Sequence, residues 1–125
     1  MAILSKFPLD IVGSGQTLVW AVFTTDGGNA PTLVVGHGIS GVTRTGAGVY
    51  VAALDDKCSS LYAFCNLNSA AAAATYFACC VASASGKTIT ITAMTEAGVA
   101  TDVTCAANEH FIVIGIAKDN PSAVG

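Results

Sequence analysis

The chain has 125 residues, a formal net charge of −3, 53% apolar residues and only 10% charged residues. This length is that of one domain, and it can bury a core without metal or disulfide support. Nucleic-acid binding needs clustered lysine and arginine, which this acidic chain lacks, and no apolar run reaches the ~20 residues needed to cross a bilayer. We therefore expect neither nucleic acid nor membrane as a partner.

The low charge content predicts that part of the surface is buried against other chains. An average soluble domain has about 25% charged residues, so the charged side chains here cover the surface thinly. A protein with few surface charges can remain soluble by assembling with other chains. This property is more typical of a lattice or a closed oligomer than of a free enzyme.

Residues 1–16 are predicted to form an extended arm. Pro8 and the Gly13-Ser14-Gly15 cluster interrupt any regular period, yet the segment is too apolar for a solvated tail. It also lacks the pattern of a secretory signal, which predicts an intracellular site of synthesis. We expect the arm to dock on its own sheet edge, a neighbouring subunit or a shell surface, although a first strand of the domain remains open. The side chains predicted to make this contact are Ile3, Leu4, Phe7, Leu9, Ile11 and Val12.

Residues 17–118 are predicted to be a β-sandwich domain and residues 119–125 a flexible tail. Residues 17–25 form a strand with apolar side chains on both faces, which is typical of a strand covered on both sides, and this places Trp20 in the core. A short strand follows at 32–35.

Residues 39–54 predict a β-hairpin. β-branched and aromatic residues favour strands on either side of Gly46-Ala47-Gly48, and glycine permits the positive φ that a tight turn needs. Arg44 is the only charged residue in its strands, and we expect it on a solvated or interface face.

The second half of the chain predicts further strands by alternation and turn signals. Residues 88–92 alternate so that Ile89 and Ile91 point inward and the threonines outward. Residues 110–117 are apolar on both faces, which indicates either a covered sheet or a sheet face used for self-association. The predicted strands are 61–67, 74–82, 87–94, a weak one at 99–105, and 110–117. The fold class is therefore all-β, an antiparallel β-sandwich or barrel-like fold of about eight strands with an extended N-terminal arm.

The sequence gives little support for a cofactor, a metal or catalysis. Gly86-Lys87-Thr88 imitates the end of a phosphate-binding loop, but Val81 stands where the first glycine should be and a strand follows instead of a helix. No convergent set of titratable groups is evident, so we expect no enzyme activity and no cofactor.

Five cysteines stand at positions 58, 65, 79, 80 and 105, with no zinc-site spacing. We predict that they are small, buried, free side chains. Two alternatives stay open: a metal site that joins Cys58 or Cys65 to His37 or His110, and a disulfide formed after release from the cell.

The run GVTRTGAGVY at 41–50 resembles a strand–turn–strand segment of small virion proteins of tailed bacteriophages, including capsid decoration (cement) proteins. The resemblance covers 36–55 and, more loosely, 87–117. It implies a structural virion protein on the head surface, a homotrimer that binds the major capsid protein lattice and stabilises it. It supplies no catalytic residues. The alternatives are a tail or head–tail component of a phage, or a β-sandwich module that binds carbohydrate or a host surface.

Overall fold

The computed structural model describes residues 16–69 and 76–118, which form an all-β sandwich of eight antiparallel strands. Sheet A has the strand order β2-β1-β8-β5, and sheet B has the order β3-β4-β7-β6. This confirms the predicted fold class. The strands are β1 (Gln16–Thr24), β2 (Thr32–His37), β3 (Ile39–Gly46), β4 (Val49–Leu54), β5 (Ser60–Asn68), β6 (Tyr76–Ser83), β7 (Thr88–Thr95) and β8 (His110–Lys118).

The predicted hairpin at 39–54 is confirmed as β3 and β4. Arg44 lies opposite Tyr50, and Gly46 lies opposite Val49, so Ala47 and Gly48 make the connection. Gly48 has a φ of +71°, a conformation that glycine adopts without steric cost. A turn over residues 84–87 connects β6 to β7, and a strand follows from Thr88, as predicted, rather than a phosphate-binding helix.

The core lies between the two sheets, and three aromatic rings stand at its centre. Phe23, Tyr50 and Phe111 are all fully buried. The rings of Phe23 and Phe111 stack with centroids 5.0 Å apart, and the ring of Tyr50 lies tilted against both. Aromatic pairs of this kind add about 0.5–1.5 kcal/mol beyond their buried area, so this cluster joins β1 and β8 of sheet A to β4 of sheet B.

The weak strand predicted at 99–105 is wrong. Only an isolated bridge between Met94 and Ala100 forms there. The segment crosses between the sheets instead, because the amide of Thr101 donates to the carbonyl of Ala93 in β7 and that of Cys105 donates to the carbonyl of Thr25 after β1. Each hydrogen bond is 2.9 Å long. The backbone amides of this segment therefore form hydrogen bonds with both sheets rather than with a single neighbouring strand.

Arg44, predicted to lie on a solvated or interface face, has a side chain that is 27% exposed and forms an ion pair with Asp102 in the crossing segment. Two features of the fold explain this outcome: Arg44 lies opposite the inward-facing Tyr50, and the crossing segment passes over that end of the sandwich.

Candidate interaction surface

The outer face of sheet A is built from apolar side chains, because β1 and β8 alternate between two apolar sets. In β1, Val19, Ala21 and Phe23 are buried in the core, while the residues between them are half-buried on the outside. β8 repeats this pattern. We call the outer set the apolar face; its members are Leu18, Trp20, Val22, Val35, Tyr62, Phe64, Ile112, Ile114 and Ile116.

The register of the sheet arranges these side chains in three rows across the strands. The middle row runs from His37 through Trp20 and Ile114 to Phe64, since these residues are direct Cα partners. The row on one side joins Leu18, Ile116 and Tyr62, and the row on the other side joins Val35, Val22, Ile112 and Asn66.

The edges of the apolar face are strongly exposed. Tyr62 is 68% exposed and Phe64 60% exposed on the edge strand β5, and Val35 is 48% exposed on the opposite edge strand β2. The described residues form two layers, so no third layer of structure covers this face. A contiguous exposed apolar patch of this kind is typical of an interaction site.

No charged side chain interrupts the three rows. His110 and Lys118 lie at opposite ends of β8, outside the rows. The other charged groups of the described ranges, apart from the Arg44–Asp102 pair, lie in loops and turns, at Asp26, Asp55, Asp56, Lys57, Lys87, Glu96 and Glu109. The centre of the face can therefore be buried without desolvating a charge.

The outer face of sheet B is different in composition. Ile89 and Ile91 are fully buried, and Thr88, Thr90 and Thr92 take outward positions of β7, as predicted. Thr90 lies between Val51 and Val81 in its row, so this face alternates hydroxyl-bearing and apolar side chains. The two outer faces of the sandwich thus present distinct surfaces.

The prediction that Trp20 lies in the core is wrong. Trp20 is half-buried on the apolar face, with its neighbours Ile114 and His37 in the same row. The sequence showed correctly that both faces of β1 are apolar, but the fold leaves one of them without a covering layer among the described residues. Sequence reasoning did not select Phe64 or Val35 for this face, because only the pairing of β5 with β8 and of β2 with β1 brings them there.

A cleft of about 460 Å³ opens beside His37, Gly38 and the loop at 55–58. His37 and Cys58 both line this cleft, and these two residues are one of the pairs that the sequence left open as a metal site. Within residues 16–69 and 76–118, however, no group of three or more histidine, cysteine or carboxylate side chains is placed to hold a metal ion.

The cysteines differ in their environments. Burial raises the pKa of the Cys65 thiol to about 12, with a contribution from the neighbouring thiol of Cys80. The prediction of buried side chains is wrong for Cys79, which is exposed on the outer side of β6, and the other four are half-buried. All five are free thiols. A raised thiol pKa lowers the population of thiolate, so Cys65 is a poor nucleophile.

The arm residues predicted to make a contact, Ile3, Leu4, Phe7, Leu9, Ile11 and Val12, lie outside the described residues, as does the predicted tail at 119–125. The described part of the chain contains no helix with the length and apolar character needed to span a bilayer. Comparisons with protein-family models, with curated proteins and with solved structures give no match to this chain.

Proposed function

We propose that this chain is a structural virion protein, a capsid decoration (cement) protein that binds the assembled phage head shell and stabilises it. The observation that carries the proposal is the apolar face, a charge-free sheet surface on a domain whose whole chain is only 10% charged. Such a surface suits a protein that works by being buried against other subunits. The resemblance of 41–50 to decoration proteins supports the same role.

In this proposal, stabilisation arises from many contacts of modest strength. Each subunit buries apolar, threonine and alanine surface against its copies and against the major capsid protein lattice, at roughly 25 cal/mol per Å² of apolar area. A homotrimer presents three such contacts at once, so its avidity for the lattice exceeds the affinity of one subunit. No cofactor and no catalytic step are needed, and the protein resides on the head surface after synthesis in the host cytoplasm.

The N-terminal arm is the proposed contact with the shell. A variant that lacks residues 2–12 removes all six apolar side chains of the arm, and we expect it to fold but not to bind. A variant that lacks residues 121–125 is the matched control, because it shortens the opposite end of the chain. Binding is measured by cosedimentation with shells stripped of the protein, and folding by circular dichroism.

The outcome of this experiment separates the two parts of the proposal. Unchanged occupancy by the arm deletion would show that the arm is not the contact. If the full chain neither binds the shells nor raises the temperature at which they disrupt, the decoration function is wrong. Immunogold labelling of intact virions distinguishes the head surface from a tail or head–tail location.

The exposure of Tyr62 and Phe64 on the same face as Trp20 favours one second candidate, a module that binds carbohydrate or a host surface. Aromatic rings on a flat, exposed sheet can stack on the apolar faces of sugar rings. In that case, oligosaccharides should change the fluorescence of Trp20, whereas a decoration protein should give no response.

A further inference from the structure

The two sheets approach each other closely along one edge of the sandwich. β5 is an edge strand of sheet A and β6 is an edge strand of sheet B, and Cα atoms of the two strands come within 8 Å of each other. This is closer than the ~10 Å spacing of packed sheets. The inward positions in the middle of both strands carry small side chains, which permit the approach: Ala63 and Cys65 in β5, and Ala78, Cys80 and Ala82 in β6.

The register of the sheets brings Cys65 and Cys80 to the same level of this edge. β8 and β7 face each other in the core, since a Cβ atom at Gly115 would lie 3.1 Å from the Cδ1 atom of Ile89. Cys65 pairs with β8 two residues before Gly115, and Cys80 pairs with β7 two residues after Ile89. Both steps lead towards the aromatic cluster at the centre of the core, so the two cysteines lie opposite each other across the edge.

The two thiols interact directly and differ in reactivity. The thiol of Cys65 donates a hydrogen bond to the sulfur of Cys80. Burial raises the pKa of both thiols, and the hydrogen bond raises the pKa of Cys65 further while it lowers that of Cys80. Because the thiolate is the nucleophile in disulfide exchange, Cys80 is the one of the two that reacts first.

The other three cysteines have different surroundings. Cys79 is exposed on the outer side of β6, Cys58 lines the cleft beside His37, and the sulfur of Cys105 lies 3.5 Å from the hydroxyl of Thr25. An oxidant that reaches the edge between β5 and β6 therefore meets one preformed pair of thiols.

We propose that Cys65 and Cys80 form a disulfide site, at which a small disulfide such as oxidised glutathione converts the two thiols into one covalent bond between the sheets. The Cys80 thiolate attacks one sulfur of the oxidant, a glutathione thiolate leaves, and a mixed disulfide remains on Cys80. The sulfur of Cys65, once deprotonated, attacks the Cys80 sulfur and releases the second glutathione. The protons of the two cysteines end on the two glutathione thiols, so two protein thiols are oxidised and one oxidant molecule is reduced.

This bond makes the edge of the sandwich sensitive to its redox surroundings. A reducing compartment keeps both cysteines as thiols, and an oxidising one favours the bond. The bond closes a loop of about 15 residues, and restricting the unfolded chain in this way should raise the melting temperature by about 10 °C. The site needs no shell and no partner chain, so it stands apart from the decoration function.

The test incubates the purified, reduced full chain with oxidised glutathione at pH 8 and then blocks the remaining thiols with N-ethylmaleimide. We expect three of the five cysteines to be labelled. Chymotrypsin cleaves after Phe64, Leu67 and Phe77, so it places Cys65 and Cys80 in separate peptides, which stay joined until the disulfide is reduced. The rise in melting temperature should disappear when dithiothreitol is added.

Three alanine variants assign the bond. Cys65→Ala and Cys80→Ala each remove one partner, and oxidised glutathione should leave their melting temperatures unchanged. Cys79→Ala is the matched control, because it removes an exposed thiol next to Cys80, and it should still form the bond and gain the full rise. Circular dichroism checks the folding of each variant, and the peptide map of the wild type tests the site even if one of them does not fold.

Several outcomes would overturn the proposal. One is glutathione attached to Cys79 with no joined peptides. A second is a joined peptide that disappears in Cys79→Ala, because the bond then belongs to Cys79. A third is a bond only between two chains, seen as a dimer on a non-reducing gel. A bond that forms without raising the melting temperature would show that the strands must distort to make it, which contradicts a preformed site.

Discussion

Asp102 binds Arg44 through both of its carboxylate oxygens, with Arg44 Nε 3.0 Å from Oδ1 and Arg44 Nη2 2.7 Å from Oδ2. The amide of Gly48 also donates to Oδ1 at 2.9 Å, and the hydroxyl of Tyr50 donates to it at 3.4 Å. Four donor groups of the β3–β4 hairpin thus converge on one carboxylate. Bidentate, charge-assisted hydrogen bonds are strong and directional, so this carboxylate fixes the crossing segment to the end of the sandwich.

This arrangement makes stability depend on pH in acid. The hydrogen bonds from Arg44, followed by the one from the Gly48 amide, lower the pKa of Asp102 to about 2. A carboxyl group whose pKa is lowered by folding stabilises the native state above its unfolded pKa of about 3.9, and this stabilisation is lost as the pH falls through about 2. We expect the free energy of unfolding, measured in urea, to fall between about pH 4 and pH 2.

Asp102→Asn should remove most of this pH dependence, because the amide cannot ionise and cannot accept both hydrogen bonds from Arg44. Asp56→Asn, at an exposed loop position, is the control and should keep the wild-type slope. A slope in Asp102→Asn equal to that of the wild type would show that other carboxyl groups govern acid stability.

Gly48→Ala should destabilise the protein strongly. A Cβ atom at this position would lie 2.5 Å from the amide nitrogen of Thr101 and 2.8 Å from the carbonyl oxygen of Ala93, and the φ of +71° disfavours any side chain. The positive φ alone costs about 1–3 kcal/mol. Gly46→Ala in the same hairpin is the control, because its Cβ would meet no heavy atom within 4 Å. Chemical denaturation of the two variants measures the difference, and equal losses would contradict the close approach of the crossing segment.

Phe111→Ala should cost about 3–5 kcal/mol in the free energy of unfolding, because it removes a fully buried ring and leaves a cavity beside Phe23. Phe77→Ala deletes a ring of the same size that is 45% exposed on β6, and it should cost much less. Urea denaturation curves compare the two variants. Similar losses would mean that the aromatic cluster does not form the centre of the core.

The cysteines should react in a definite order with a thiol reagent such as iodoacetamide at pH 8. Cys79 is exposed and should be modified first, while Cys65, whose pKa burial raises to about 12, should be modified last. Peptide mass spectrometry at timed intervals gives the order, and the same reaction in denaturant removes the difference. Modification of Cys65 as fast as Cys79 in the native protein would contradict the burial of its thiol.

Much of the fold could be predicted because its signals are local. Period-two alternation identified β7, continuous apolar runs identified β1 and β8, and the glycines at 46 and 48 identified the hairpin, since strand faces and turn conformations depend on neighbouring residues. The same runs showed that β1 and β8 are apolar on both faces, and these two strands form the centre of the candidate surface.

The sequence by itself determined the strands, their turns and the shortage of charge, whereas the tertiary structure decided which strands become neighbours. The pairing of β8 with both β1 and β5 places Ile114 between Trp20 and Phe64. The ion pair of Arg44 with Asp102 joins residues 58 positions apart in the chain. Contacts at such separations depend on how whole sheets pack, and no local pattern encodes them. For the same reason Trp20 lies on an outer face rather than in the core, because a residue's periodicity shows which side of a strand it occupies but not what covers that side.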